Sequence, residues 1–197
     1  MKQGEKTREN ILHQAAELFN TQGYAGASIS DIMKATGLKK GGIYNHFTSK
    51  EQLWLESFDY AYRLVETYFN EALKTKKHAI DRLLCVIDCF RDYGTKPVLA
   101  GGCPLLNTAI ESDDTSAILR ERVRQAFNDL GALIRRIVQR GLERNQLHPA
   151  TNPDQVANVF LSAMEGAVML TQLYDDPNKM YHTCDHLTHY VQHQLAH

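Results

Sequence analysis

Between Ile11 and Phe47 apolar side chains return every three or four positions in three short runs, interrupted near Gly23 and Gly37. Residues three and four apart share one face of a helix, so the spacing is helical. Runs this short are marginal as isolated helices and have to bury against one another. The first run (Ile11, Leu12, Ala15, Leu18, Phe19) predicts an amphipathic helix over about 6–22, ended by Gly23. Tyr24 to Ala27 makes a short connection. Ser28 is a good N-cap with Asp31 as a capping-box-like partner. Ile29, Ile32, Met33 and Ala35 then mark the inner face of a second helix stopped at Gly37, with Leu38 as a buried turn residue. A third helix over about 39–46 turns Ile43 and Phe47 inward, and Thr48 with Glu51 opens a long helix through about residue 75. Three short helices around one tight glycine turn form the trihelical pattern of a helix-turn-helix. Spacing alone does not make such a unit bind DNA, because a three-helix core also serves as a structural or protein-binding module.

The remainder reads as helix too, and the fold class expected is all-α. Only 5 prolines and 12 glycines occur in 197 residues, and β-branched runs are scarce. His78–Tyr93 carries Ile80, Leu83, Leu84, Ile87 and Phe90 on one face, and Pro104 suits the first turn of a helix to about Glu111. Asp114 or Thr115 is expected to cap a long helix to about Arg144, with Ile118, Leu119, Val123, Phe127, Leu130, Ile134 and Ile137 inward. Pro153 opens a helix to about Leu173, and a last one spans about 178–195. The domains expected are a helix-turn-helix over 1–47 and a larger helical domain over 48–197, joined by the helix that begins near Thr48.

Charge divides the same way. Residues 1–50 hold seven Lys/Arg against four Asp/Glu, while 51–197 hold fifteen against nineteen. A basic head on an acidic body suits phosphate binding at one end. No run approaches eighteen consecutive apolar residues, so no transmembrane helix is expected. The N-terminus lacks the apolar core of a signal peptide, and Cys85, Cys89, Cys103 and Cys184 lack zinc-ribbon or disulfide-scaffold spacing. The cytoplasm is therefore the expected compartment, with reduced thiols. No Ser-His-Asp signature, HExxH or phosphate loop is present, so no enzyme and no cofactor are expected.

From Thr7 to Trp54 the chain reads TRENILHQAAELFNTQGYAGASISDIMKATGLKKGGIYNHFTSKEQLW. The spaced elements Ala15-Ala16-x-Leu18-Phe19, Gly23-Tyr24, Ser28-Ile29-x-x-Ile32, Gly37 and Gly42-Ile43-Tyr44-x-His46-Phe47-x-Ser49-Lys50 resemble the N-terminal domain of TetR-family transcriptional regulators. The resemblance implies that Lys39 to His46 is the recognition helix of the major groove. Lys39, Lys40, Asn45 and His46 would then offer donors to base edges or phosphates, and Tyr44 a hydroxyl to a phosphate. Lys50 and the backbone N–H groups of its helix start would meet the phosphodiester chain, as would Ser28, although capping alone explains Ser28. The sequence departs from the family at Gly41-Gly42, where many relatives have Ser, Thr or Ala at the second position. Each glycine costs about 1 kcal/mol against Ala in a helix interior. Either the core tolerates the pair, or the missing side chain of Gly42 lets the helix approach DNA closely.

The resemblance further implies a homodimer joined through the last two helices, a pseudo-palindromic double-stranded DNA operator, and a small-molecule effector held by the middle helices. Ala157, Leu161, Ala163, Met164, Ala167 and Val168 form the apolar face expected at the dimer contact, unless it packs inside its own subunit. Phe90, Tyr93, Leu106, Phe127, Phe160 and Met164 are the candidate effector-lining residues, although such side chains are more often plain core. Cys103 stands in a glycine loop before Pro104, where a helix dipole would favour thiolate; the segment resembles a Gly-Cys stretch of family members that sense electrophiles or oxidants. A small buried helix-start residue is the plainer reading, and Cys85 and Cys89 are expected in the core. His182, His186, His189, His193 and His197 form a stripe opposite Cys184, Leu187, Val191 and Leu195; it is expected to face solvent and not to be a closed metal site. The function expected is a dimeric repressor released from its operator by a small molecule or by modification of Cys103. The rival is a head that has lost site-specific DNA binding and acts as a protein adaptor.

Overall fold

Helix ends in this chain fall where backbone chemistry puts them. In the computed structural model, which describes residues 3–93, 96–112 and 116–197, Ser28 caps one helix and Gly37 ends it in the left-handed conformation (φ 71°, ψ 10°). Pro104 and Pro153 each occupy the first turn of a helix, where a missing N–H costs nothing. The described helices run α1 (Gln3–Gly26), α2 (Ile29–Thr36), α3 (Lys40–Tyr44), α4 (Lys50–Leu73), α5 (Ala79–Tyr93), α6 (Pro104–Ser112), α7 (Ala117–Glu143), α8 (Pro153–Tyr174) and α9 (Asn178–Tyr190). The last ends in a π-turn over Val191–Leu195. No strand occurs among the described residues, only an isolated antiparallel bridge between Leu147 and Ala196.

Several boundaries differ from expectation for local reasons. Gly23 breaks α1 where expected, with non-helical φ 71° and ψ 170°, but a short further turn carries the chain on to Gly26. The third helix is shorter than 39–46, because Lys39 has extended backbone and the turn after Tyr44 closes through His46 N–H to the Ile43 carbonyl (3.0 Å). The cap of α4 is Ser49, whose hydroxyl accepts from the Gln52 N–H at 3.0 Å; the Gln52 side chain reaches back to the Thr48 N–H at 2.6 Å. Thr48 with Glu51 is thus replaced by its neighbours, one residue on. The expected cap at Asp114 or Thr115 lies outside the described residues; Ser116 accepts from the Leu119 N–H at 3.3 Å and starts α7.

The chain divides into two compact units. The first holds residues 1–65 and 99–123: α1 to α3, the first part of α4, α6 and the start of α7. It contains the whole of the expected DNA-binding segment 1–47, and α6 packs on α1. Its core includes Ile11, Phe19, Ile32, Ile43, Phe47, Leu53 and Trp54. Burying each such side chain stabilises by about 1.5–3 kcal/mol. Ala35, expected inside, is exposed, Leu38 is half-buried, and Ile118 is 58% exposed.

The second unit holds residues 66–98 and 124–197, with α9 packed on α5 and α8. Leu83, Ile87, Ile134, Phe160, Met164, Cys184 and Leu187 lie in its core. α8 is apolar on two faces. Ala157, Met164, Ala167 and Val168, expected at a dimer contact, are buried within their own unit, and Leu161 and Ala163 are half-buried. The second apolar face, with Val159, Met169, Leu170, Leu173 and Tyr174, is exposed. Being apolar twice gives α8 the length and hydropathy of a bilayer-crossing segment, although 44% of its most apolar stretch is buried within the protein. Along α9 and the π-turn that follows it, the histidines 182, 186, 189 and 193 are exposed and Cys184, Leu187, Val191 and Leu195 buried, as the wheel expects. His197 lies beyond the last helical turn and outside the stripe.

Candidate nucleic-acid interface

A helix of five residues cannot hold itself, so α3 is positioned by what it buries. Ile43 and Phe47 are each 1% exposed, and the guanidinium of Arg8 sits 4.8 Å over the Phe47 ring while pairing with Glu56. With that face pinned, Lys39, Lys40, Tyr44 and Asn45 point to solvent and His46 is half-buried. Lys40 Nζ lies 5.8 Å from the centre of the Tyr44 ring. Two ammonium groups, a phenol and an amide therefore project from one short helix, all donors of the kind that phosphates and base edges accept.

Ser28 is committed to structure. Its hydroxyl accepts from the Asp31 N–H (3.2 Å) and donates to Asp31 Oδ2 (2.5 Å), while its own N–H donates to the same oxygen (3.0 Å). These bonds from Ser28 hold the Asp31 carboxyl below its usual range. Lys50 is also engaged. Its ammonium donates to the Tyr24 carbonyl and lies 4.1 Å over the Tyr24 ring, which stacks on Trp54 at 4.3 Å. Lys50 thus braces the end of α1 against the start of α4. Tyr24, Trp54 and Arg8 were missed as positioning residues in the sequence, although an aromatic on each side of Lys50 was a visible signal.

The glycine pair is not required by the fold. Neither Gly41 nor Gly42 has positive φ. A Cβ on Gly41 would meet nothing within 4 Å, and one on Gly42 would only touch Leu38 Cβ at 3.4 Å.

The start of α6 is stitched to α1. The Asn20 side-chain amide donates to the carbonyls of Ala100 (2.8 Å) and Gly102 (3.0 Å). The Asn107 amide donates to Gly101 O (2.7 Å) and to Asn20 Oδ1 (3.0 Å). One helical turn on from Asn107, Glu111 accepts the Tyr24 N–H at 2.5 Å, just past the Gly23 kink. Cys103 caps this helix, its carbonyl accepting the Asn107 N–H at 3.0 Å, and its side chain is 5% exposed. Neither this network nor the placement of α6 beside α1 was expected from the sequence.

The proposed effector residues divide between the units. Cys103 and the half-buried Leu106 belong to the first; Phe90, Tyr93, Phe127, Phe160 and Met164 belong to the second. Phe90 packs against Phe69, ring centres 5.3 Å apart, and Phe160 and Met164 are fully buried while Phe127 is half-buried. Burial pushes the Cys89 thiol up to about 12, with help from Cys85, and the Cys184 thiol up to about 11. Both are therefore protonated and unreactive near neutrality. None of the four cysteines forms a disulfide.

Comparison with known proteins matches residues 11–56 to the model described as bacterial regulatory proteins, tetR family. Residues 79–187 match the tetracyclin repressor-like C-terminal domain. A solved TetR transcriptional regulator from Chloroflexus aurantiacus is 48% identical, with TM-score 0.96, covering 100% of this chain and 99% of that one. The HTH-type transcriptional repressor NemR of Escherichia coli is 25% identical over 82% of this chain and 81% of its own. A transcriptional regulator from Saccharomonospora viridis, solved in complex with choline, shares the fold (TM-score 0.85, 21% identity, 98% and 99% coverage).

Proposed function

The chain belongs to the TetR family of DNA-binding transcriptional regulators, and from that premise we propose that it is a dimeric repressor released from a pseudo-palindromic operator by a small molecule. The observation that carries the reading is the exposed set Lys39, Lys40, Tyr44 and Asn45 standing on the buried pair Ile43 and Phe47. Such a helix enters the major groove, and a two-fold dimer places two of them about one helical turn or more apart. Gly42 fits the same reading, since nothing in the fold asks for it; its bare backbone lets α3 sit close to the bases. His46 completes the contact row at the end of the turn. Lys50 and Ser28, committed to Tyr24 and Asp31, act first as braces and meet phosphate only through their backbone or by exchanging partners. The protein acts in the cytoplasm, where the chromosome is, and works by binding rather than turnover. A small-molecule ligand accords with the choline bound by the Saccharomonospora relative. Phe90, Tyr93, Phe127, Phe160 and Met164 are the side chains of the second unit offered to such a ligand.

The test is selection of bound genomic fragments followed by titration of the recovered site. Lys39→Ala and Lys40→Ala should each weaken binding about tenfold and flatten its salt dependence by about one phosphate contact. Gly42→Ala should weaken binding while raising thermal stability by up to about 1 kcal/mol. A chain that enriches no fragment, or whose complexes ignore salt, is an adaptor instead.

Cys103 supports a second trigger. It sits at the start of α6, whose next turns hold Asn20 through Asn107 and the Tyr24 N–H through Glu111. Adding bulk at a thiol 5% exposed would displace this segment from α1. Quinones or peroxide should then release wild-type protein from the operator and leave Cys103→Ser bound; equal release from both excludes this trigger.

A further inference from the structure

A cavity of about 280 Å³ opens in the second unit where the end of α4, the start of α5 and the last turns of α7 meet. Its charged lining is of one sign: Lys76, Lys77, Arg82, Arg140 and Arg144. Among the described residues no carboxylate lines it, although residues 51–197 hold nineteen Asp/Glu against fifteen Lys/Arg. A third of the cations in an acidic body thus converge on one hollow.

Ordinary helix chemistry explains only part of this. Arg82 donates to the carbonyls of Leu73 (3.1 Å) and Lys76 (3.0 Å), closing the end of α4. Arg140 and Arg144 stand at the C-terminal end of α7, where a positive charge meets the negative end of the helix dipole. Neither role needs five cations around one space. Among the described residues, Lys76, Lys77, Arg140 and Arg144 enter no ion pair, and Glu71 nearby is paired with Lys74 instead (3.4 Å). The crowding is felt inside the site: burial and then the charge of Arg140 hold the Arg82 guanidinium below its usual range.

The walls are fixed before any ligand arrives. The Ala79 N–H at the start of α5 donates to Gln146 Oε1 (2.9 Å), and the Gln146 N–H donates to the Gly141 carbonyl (2.8 Å). A Cβ on Gly141 would lie 2.6 Å from Ala79 Cβ and 2.7 Å from Leu147 Cδ1, so the Ala79 and Leu147 side chains pack directly on the α7 backbone here. The positive end of the fifteen-residue α5 adds to the field. Like charges gathered round a fixed concave backbone raise the local potential that attracts an anion.

We propose that this cavity is a binding site for a small, multiply charged phosphate compound, separate from the aromatic set around Phe90. Arginine forks suit phosphate oxygens, and a singly charged anion would leave most of the five cations uncompensated. A concave space walled by Ile137, Ala79 and Gly141 favours a compact ligand over a phosphodiester chain, which is tracked by open grooves.

Inorganic pyrophosphate is the probe, titrated calorimetrically into the full chain at physiological salt. One site per chain is expected, with affinity falling at least tenfold in the Arg140→Gln/Arg144→Gln double variant. These two side chains are exposed and their loss leaves the Arg82 cap intact; unchanged circular dichroism checks this. Arg136→Gln, on α7 but outside the cavity lining, should bind as wild type. The proposal fails if pyrophosphate does not bind at millimolar concentration, or if Arg136→Gln weakens binding as much as the double variant. It also fails if the double variant binds pyrophosphate normally but loses non-specific duplex DNA, which would make the cluster a nucleic-acid surface.

Discussion

Gly101→Ala should lower the stability of the protein by roughly 3–4 kcal/mol. Gly101 has φ +95°, and a Cβ there would lie 2.8 Å from the Asn20 carbonyl oxygen and 2.9 Å from Thr21 Cγ2. The backbone conformation alone costs an L-residue about 1–2 kcal/mol. The clash cannot be relieved by a rotamer change, because the nearest atom is backbone on α1. The loop would have to lift, and lifting it parts the Asn20 amide from Ala100 and Gly102 and the Asn107 amide from Gly101. Each lost bond is worth about 1 kcal/mol, more where a buried group is left unpaired. For a chain of this size the melting midpoint should fall by about 6–16 °C. Gly41→Ala is the control, since its Cβ meets nothing within 4 Å and its φ is not positive; it should melt at or above the wild-type temperature. If Gly101→Ala melts within a degree of wild type, the α1–α6 stitching is not what holds this segment. Operator binding measured on the same variant shows whether loosening α6 is transmitted to α3.

The features legible in the sequence were those whose cause is local. Ser28 and Asp31 close a capping box within four residues, Gly37 ends a helix by its own backbone freedom, and Pro104 and Pro153 each mark a first turn. The inward pair Ile43 and Phe47 follows from one turn of helix. What was hidden depends on partners far along the chain. Asn20 and Asn107 are 87 residues apart, and neither amide carries a mark that says which carbonyls it will meet. Lys50 reads as a phosphate ligand because lysines near a helix start often are; its capture by Tyr24 needs the end of α1 folded back beside α4. Glu51 and Thr48 lost the cap to Gln52 and Ser49 because two overlapping capping patterns were available one residue apart. The basic cavity was illegible for the same reason, since Lys76, Arg82 and Arg140 belong to three different helix ends.

On the proposed dimeric reading, Gly166→Arg should leave the protein monomeric and weaken operator binding by at least about a hundredfold. The wheel of α8 misled because the helix has two apolar faces, and periodicity cannot say which one its own core takes. The structure commits Ala157, Met164, Ala167 and Val168 inward and leaves Val159, Met169, Leu170, Leu173 and Tyr174 uncovered, with Leu173 70% and Tyr174 63% exposed. Gly166 belongs to this open side, since a Cβ there would meet nothing within 4 Å. A contiguous apolar stripe beside a residue without a side chain lets a second helix approach closely, and a two-fold contact presents the same stripe from both chains. One substitution therefore introduces two guanidinium groups into the interface, each stripped of water without a partner. Every 1.4 kcal/mol of that cost weakens dimerisation tenfold, and a monomer holds only one half-site. The subunit itself should fold unchanged, with wild-type helicity. Met164→Ala makes the opposite separation: fully buried in its own unit, it should cost about 2–5 kcal/mol of stability while sedimenting as the wild type does below its melting temperature. If Gly166→Arg still sediments as a dimer and binds the operator normally, the uncovered face of α8 is not where the two chains meet, and the contact must be sought on another surface.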